Sequence, residues 1–262
     1  MKKKNNRRVF LKSSIALGGT VLMNQKLFSN SAERYNTQNK VKENYTILFQ
    51  GDSITDGGRS RNNDWNHLMG HGYVYIASSK LWYQYPDTKF KIYNRGVSGN
   101  TVIDLEKRWE ADTLALKPDL LSVLIGINDV YKFIKGDTTQ TSELFETTYH
   151  KLLSTTKSHF PDIQFVLCEP FMLPVGTVKD KFELYTAEIK KRQAIVKKMS
   201  TEFNAIFIPM QQLFNEMLKR APADYWIWDG IHPMPAGHEL MAMHWMDQVQ
   251  RKLGIRPHGN KT

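Results

Sequence analysis

The chain has 262 residues, a length that suits one sizeable α/β domain and is short for two. Its formal net charge is +10, but residues 1–32 carry seven basic residues and no acidic ones, so the rest of the chain carries only +3. This distribution excludes a broad nucleic-acid-binding surface, and no later apolar run is long enough to span a bilayer.

The N-terminal segment has the layout of an export signal. A charged stretch, MKKKNNRRVFLK, precedes a short apolar run, SSIALGGTVLM, and small residues follow in FSNSA. Arg7-Arg8 and the Phe-Leu-Lys that follows resemble a twin-arginine signal, while a Sec signal or a basic disordered tail is the alternative. We predict an export signal over residues 1–32, and therefore a periplasmic or secreted protein. No stable membrane anchor is expected after signal removal, because no cysteine follows the apolar run.

Five strand-like runs alternate with helical patterns through one predicted domain, residues 44–255. A flexible lead-in at 33–43 precedes the domain, and a loose polar tail at 256–262 follows it. The runs are nearly continuous in apolar residues, as in parallel strands buried on both faces. They cover residues 45–50, 90–94, 120–126, 163–168 and 205–210. The helical patterns lie at 74–85, 101–117, 142–160, about 180–203 and about 235–253. This alternation predicts a three-layer α/β/α fold with a mainly parallel five-stranded sheet.

Polar motifs follow the predicted strands or lie near the edge where their carboxyl ends meet. They are Gly51-Asp52-Ser53, Gly96-Val97-Ser98-Gly99-Asn100, Gly126-Ile127-Asn128-Asp129 and Asp229-Gly230-Ile231-His232-Pro233. Ligands of open parallel sheets bind at this edge, so these residues are expected to converge there.

Ser53, at the end of the first strand, is the candidate nucleophile. A serine needs a base to take its proton, and His232 is the best candidate. Asp229, three residues earlier, is close enough to hold the imidazole in the useful tautomer, which completes a Ser-His-Asp triad. Taken alone, each feature has a plainer interpretation: a tight turn at the serine, and a helix-entry cap beside an incidental histidine. Asp52 is expected at the rim, near the substrate, rather than as the triad acid.

Three groups are candidates for an oxyanion hole, which needs donors aimed at the developing negative charge. They are the backbone N–H groups of Ser53 and Gly99 and the side-chain amide of Asn128. Gly99 offers its N–H without side-chain obstruction, and Asn128 is a neutral donor. A strand-ending turn at Gly99 and an Asx turn at Asn128 are the alternatives.

In this order, the motifs Gly-Asp-Ser, Ser-Gly-Asn-Thr, Gly-x-Asn-Asp and Asp-x-x-His-Pro resemble those of the SGNH, or GDSL-type, hydrolase family. The four letters correspond to Ser53, Gly99, Asn128 and His232, and the resemblance runs from about residue 45 to 250. It implies a flavodoxin-like sheet, serine-based ester hydrolysis and no required metal or other cofactor. Asp229 and His232 take the acid and base positions of the family.

Longer stretches are similar to the acetylxylan-esterase-like branch of that family, among them GDSITDGGRSR, NRGVSGNTVIDLEKRW and WDGIHPMPAGH. This resemblance implies an acetylated carbohydrate as substrate, xylan or its oligosaccharides, and a homo-oligomer, although the sequence carries no direct interface signal. Two alternatives remain open. One is a lipolytic acylhydrolase on the same fold and triad, and the other is a carbohydrate-binding protein with an inactive site.

Aromatic side chains near the predicted site are candidates for stacking on sugar rings. Tyr225, Trp226 and Trp228 lie just before the triad acid, and Trp65 lies in a polar loop. Core or interface packing is the alternative for each. Arg59 lines the same entrance or belongs to a solvated loop.

Overall fold

A five-stranded sheet with all strands parallel forms the centre of the domain. It is seen in a computed structural model that describes residues 41–255 apart from Asn63. The strands are Thr46–Gly51 (β1), Lys91–Asn94 (β2), Leu120–Leu124 (β3), Gln164–Cys168 (β4) and Ile206–Ile208 (β5). Their order in the sheet is β2-β1-β3-β4-β5. Because β2 and β3 lie on opposite sides of β1, the chain changes direction across the sheet at β1, where ligands of such folds bind. The predicted five-stranded sheet is confirmed.

Helices connect the strands. They are Ser53–Asp56 (α1), Tyr73–Gln84 (α2), Val102–Asp112 (α3), Ile127–Ile134 (α4), Ser142–His159 (α5), Phe182–Glu202 (α6), Met210–Met217 (α7), Ala223–Trp226 (α8) and Pro235–Leu253 (α9). The five long helices were all predicted within a few residues. The four short ones, α1, α4, α7 and α8, were not, because four to eight residues are too few to show a 3.6-residue period.

The helices cover both faces of the sheet, and the buried apolar residues form two clusters, one on each face. Successive residues of β1 point to opposite faces: Ile47 and Phe49 join one cluster with Trp245 of α9, whereas Leu48 joins the other with Trp109 of α3. Near-continuous apolar runs follow from this arrangement, since neither face of a central strand meets water. The three-layer α/β/α architecture is thus confirmed.

Local signals fix the ends of the helices that flank the site. A capping box between Thr101 and Asp104 starts α3 at the end of the loop after β2. Pro235 occupies the first turn of α9, where its missing N–H leaves no bond unmade, and Gly254 ends that helix in a left-handed conformation.

The predictions for the chain termini fall largely outside the described residues. These are the export signal at 1–32, most of the lead-in at 33–43 and the tail at 256–262. None of the helices between residues 41 and 255 combines the length and apolar character needed to cross a bilayer.

Candidate active site

The turn that carries Ser53 is built around a glycine that admits no side chain. A Cβ placed on Gly51 would lie 2.3 Å from the Leu124 carbonyl oxygen and 2.4 Å from Thr55 Oγ1. The chain leaves β1 at this residue and enters α1, with Ser53 as the first helical residue. The tightness of this turn therefore places the serine at the carboxyl end of a central strand.

Ser53, His232 and Asp229 form a continuous hydrogen-bonded series. The distance from Ser53 Oγ to His232 Nε2 is 2.8 Å, and that from His232 Nδ1 to Asp229 Oδ2 is 2.7 Å. An ionised carboxylate can only accept, so Nδ1 carries the ring proton. In the neutral ring Nε2 is then the acceptor, and Ser53 donates to it. The structure thus brings together the three residues predicted as the triad, 179 positions apart at the widest.

The Asp229 carboxylate is fixed by its own loop. Its Oδ1 accepts the backbone N–H groups of Ile231 at 2.9 Å and His232 at 2.7 Å. Burial raises the pKa of Asp229, but the hydrogen bonds from His232 and Ile231 outweigh it and hold the pKa below its ordinary value. The lowered pKa favours the ionised carboxylate, which is the form that orients the imidazole.

Thr177 fixes the backbone of the triad acid from a second loop, a role that the sequence did not indicate. Its backbone N–H and its hydroxyl both donate to the Asp229 carbonyl oxygen, at 2.9 and 3.0 Å. The two residues are 52 positions apart, and no local pattern marks such a pair.

The three candidate oxyanion donors lie after three neighbouring strands. Ser53 follows β1, Gly99 follows β2 and Asn128 follows β3, with β1 between the other two strands in the sheet. Gly99 has a φ of 81°, in the left-handed region that glycine adopts readily. The Asn128 amide donates one N–H to the Asn100 carbonyl oxygen at 3.1 Å, which orients the side chain and leaves its second N–H for a ligand.

Two of the residues predicted to bind substrate, Asp52 and Trp226, are buried, so that prediction is wrong for them. Asp52 has no exposed surface, and its Oδ1 caps α1 by accepting the Ile54 N–H at 3.0 Å. Trp226 is 7% exposed, packs in the core and donates its indole N–H to the Ala221 carbonyl oxygen. Neither side chain can reach a substrate, because adjacency to the triad in sequence does not fix which way a side chain points.

The remaining candidates lie at the surface or at its edge. Trp228 is 59% exposed, and its ring is stacked on that of His232, with centroids 6.1 Å apart and an interplanar angle of 24°. Tyr225 and Trp65 are also exposed. Arg59 is half-buried and donates to the Gly96 carbonyl oxygen at 2.9 Å, at the start of the loop that carries Gly99. Trp228 is thus the aromatic residue with a direct contact to the triad.

Potential metal ligands and reactive side chains also occur elsewhere in the described part of the chain. Between residues 41 and 255, Asn63 aside, no group of three or more His, Cys, Asp and Glu residues is placed to hold a metal ion. Cys168 is buried in β4, where burial raises the pKa of its thiol to about 12. His238 accepts the Tyr73 N–H on Nδ1, and burial together with the nearby His71 and His232 lowers its pKa to about 4. Cys168 and His238 are therefore neutral at physiological pH.

Comparisons with known proteins agree with this fold. The model of the GDSL-like lipase/acylhydrolase family matches residues 49–240. An acetylxylan esterase from Geobacillus stearothermophilus is 35% identical over 217 residues, which cover 80% of this chain and 96% of that protein. A crystal structure of an acetylxylan esterase from the same organism superimposes with a TM-score of 0.71 at 33% identity, over 83% of this chain and 97% of that one.

A protein from Parabacteroides merdae that is described as a GDSL-like lipase superimposes with a TM-score of 0.76 at 41% identity. This match covers 81% of this chain and 99% of that protein. The chain therefore belongs to the GDSL-like lipase/acylhydrolase family. It is a carboxylic ester hydrolase, as the resemblance of its motifs implied.

Proposed function

We propose that this ester hydrolase removes O-acetyl groups from an acetylated plant polysaccharide or its oligosaccharides, with xylan preferred, through an acyl-enzyme on Ser53. The observation that carries the proposal is the hydrogen-bonded series from Ser53 through His232 to Asp229. It lies in a chain whose 35% identical relative is an acetylxylan esterase. The acetylated carbohydrate is the expected partner, and the reaction uses side-chain and backbone groups alone.

Acylation starts when His232 Nε2 takes the Ser53 proton as Oγ attacks the acetyl carbonyl carbon. The carbonyl electron pair moves onto oxygen, where the N–H groups of Ser53 and Gly99 and the Asn128 amide stabilise the charge. Collapse of this intermediate breaks the bond to the sugar oxygen, which takes the proton from His232. The acetyl group then remains on Ser53.

Deacylation repeats these steps with water. His232 takes a proton from the water as its oxygen attacks the acetyl carbon, and the same donors stabilise the second oxyanion. Collapse breaks the bond between Ser53 Oγ and the acetyl carbon, Oγ takes the proton from His232, and acetic acid leaves and ionises to acetate. Asp229 stabilises the imidazolium twice in each cycle without itself being protonated.

An exposed indole beside the base supports a sugar substrate. Trp228 is more than half exposed while it stacks on the His232 ring, so apolar surface remains open next to the point where a sugar oxygen leaves. Aromatic faces of this kind offer a pyranose ring a large rigid contact surface. The Trp228→Ala change should therefore raise KM for acetylated xylooligosaccharides more than KM for p-nitrophenyl acetate.

Acetate release across a panel of acetylated carbohydrates tests the substrate. The panel contains xylan, pectin, chitin fragments and sialic acid, and a series of p-nitrophenyl esters from acetyl to octanoyl accompanies it. Xylan is expected to give the highest kcat/KM, with a steep fall from acetyl to octanoyl esters. Ser53→Ala is the control for turnover at the proposed site.

The same panel separates the alternatives. A rise in kcat/KM from acetyl to octanoyl esters would establish a lipolytic acylhydrolase instead. Absence of turnover on all esters, with no labelling by a fluorophosphonate, would indicate a carbohydrate-binding protein with an inactive site.

We also propose that the mature protein is exported by the twin-arginine route. The support is the Arg7-Arg8 pair with Phe10, Leu11 and Lys12 directly after it, ahead of a short apolar run. Residues 1–32 fused to a reporter that folds before export should reach the periplasm. Replacing both arginines by lysine should keep the reporter in the cytoplasm, and unchanged export of that variant would contradict the route.

A further inference from the structure

Gly99 lies at an exposed point of the loop between β2 and α3, residues 95–101, called here the oxyanion loop. In the described part of the chain no atom beyond its own neighbours lies within 4 Å of where a Cβ would stand, and its φ is 81°. The space on this side of Gly99 is therefore open, and we infer that the direction of its N–H depends on how Ser98 and Asn100 are held.

Asp56 holds the Ser98 side of the oxyanion loop. Its Oδ2 accepts both the backbone N–H and the hydroxyl of Ser98, each at 3.0 Å. Arg61 donates to both carboxylate oxygens, at 3.1 and 2.7 Å, and the Arg59 N–H donates to Oδ1. Burial raises the pKa of Asp56, but the bonds from Arg61 and Ser98 outweigh it and keep the pKa below its ordinary value. Because Asp56 closes α1, the loop is joined to the helix that begins at Ser53.

Arg108 of α3 holds the Asn100 side. Its Nε donates to Asn100 Oδ1 at 2.8 Å, its Nη1 to the Arg95 carbonyl oxygen at 2.8 Å, and its Nη2 to the Gly51 carbonyl oxygen at 3.3 Å. A planar guanidinium fixes all three directions at once. The Asn100 carbonyl oxygen also accepts the Asn128 amide. Arg108 thus links the oxyanion loop to the end of β1 and, through Asn100, to the third candidate donor.

We propose that Asp56 and Arg108 are a pair of positioning residues that clamp the oxyanion loop on both sides of Gly99 and so aim its N–H at the developing oxyanion. The inference rests on the proposed function, since it needs Ser53 as nucleophile and Gly99 as donor. Neither residue touches the substrate. Both act by fixing the distance between the Gly99 N–H and the serine turn, which matters chiefly in the transition state.

Arg108→Met tests the Asn100 side. Loss of one oxyanion donor lowers kcat by about 10²–10³-fold, so a donor that is only misdirected should lower kcat by about 10- to 100-fold, with KM within about threefold. Arg108→Lys keeps the charge, but its single nitrogen cannot reach all three acceptors that Nε, Nη1 and Nη2 of Arg108 reach, so its kcat should lie between those of Arg108→Met and the wild type. Arg108 also forms an ion pair with Asp112, four residues later, at 2.9 Å. Arg251→Met is the matched control, because it removes the corresponding pair with Asp247, four residues earlier on α9, and should leave kcat unchanged.

A double-mutant cycle shows whether Arg108 acts through Gly99. Gly99→Ala strains the left-handed backbone and displaces the same N–H, so Arg108→Met should add little to its effect on kcat. If the fold-losses of kcat in the two single variants multiply in the double variant, the two residues act independently and the proposal is overturned. A decrease in kcat of less than threefold in Arg108→Met would also overturn it. If Arg108→Met fails to fold, as seen by thermal unfolding, Arg108→Lys is judged by the same two criteria.

Asp56→Asn tests the other side. It removes the charge that holds Ser98 and should lower kcat with little change in KM, whereas a wild-type kcat would overturn the role of Asp56. If this variant does not fold, Ser98→Ala, which removes one of the two bonds, should give a smaller loss of the same kind. Undiminished turnover in Ser53→Ala would refute the proposed function. An inactive Ser53→Ala beside a fully active Arg108→Met would refute the clamp alone.

Discussion

Two buried carboxyl groups, those of Asp52 in the serine turn and Asp129 in α4, interact electrostatically, and Asp52 provides a test of the site's electrostatics. Asp52 Oδ2 and Asp129 Oδ2 have no hydrogen-bond partner among the described residues, and the two side chains are 0% and 1% exposed. Burial and the charge of Asp129 raise the pKa of Asp52 to about 7, against the opposing bond from the Ile54 N–H. Burial likewise raises the pKa of Asp129 to about 6, despite the bond from the Val102 N–H.

The raised pKa of Asp52 sets the sign of a pH effect on stability. The folded state favours the protonated carboxyl, so this contribution is fully present below the unfolded pKa near 4 and is lost as pH rises through about 7. Three pKa units correspond to roughly 4 kcal/mol of unfolding free energy. Asp52→Asn keeps an oxygen to accept the Ile54 N–H but cannot ionise, so the variant should not suffer this loss.

Urea denaturation of wild type and Asp52→Asn at pH 4, 6 and 8 measures the effect. The variant's advantage in unfolding free energy should be near zero at pH 4 and grow to on the order of 4 kcal/mol at pH 8. The exposed Asp180→Asn is the matched control, with no such trend. An advantage that is constant with pH, or that shrinks as pH rises, would show that Asp52 is ionised in the folded protein and would refute the reasoning.

Three further changes test the proposed chemistry and the turn that supports it. Ser53→Ala should lower kcat on p-nitrophenyl acetate by at least about 10⁴-fold while the thermal midpoint stays unchanged; retained activity would exclude Ser53 as nucleophile. Asn128→Ala should lower kcat by about 10²-fold with KM nearly constant, and an effect on KM alone would assign Asn128 to substrate binding instead. Gly51→Ala should destabilise the fold by about 1–3 kcal/mol in urea denaturation, since its Cβ would meet the Leu124 carbonyl oxygen; a neutral change would mean the turn can open.

The sheet and the long helices could be predicted because their signals are local. Apolar runs such as residues 45–50 extend over a whole strand. A strand that is buried on both faces is nearly continuous in apolar residues, and this pattern can be recognised in a single sequence. The last run was predicted to reach residue 210, but β5 ends at Ile208, where Pro209 supplies no N–H for the ladder. Residues 210–217 instead form α7.

Side-chain direction and long-range partners were less accessible from the sequence. Trp226 and Trp228 are two residues apart, yet the first packs in the core and the second stacks on His232 in the open. Whether each side chain is buried or exposed depends on where α8 ends. A helix of four residues is too short for a sequence period to show its end. Asp56 and Arg108 are ordinary charged residues in the sequence, and only the folded chain brings them to either side of Gly99.

The placement of the triad acid and base on one short segment has a consequence for how the active site assembles. Asp229 and His232 are bonded to each other within one short segment, and this segment must still reach two distant partners. Thr177 lies 52 residues from Asp229, and Ser53 lies 179 residues from His232. Closure over such a separation comes late when a chain folds, after the local turns. We therefore expect esterase activity to return in a single late phase of refolding, together with the docking of α9 on the sheet. The rate at which hydrolysis of a chromogenic ester recovers during refolding then measures the rate of this late step.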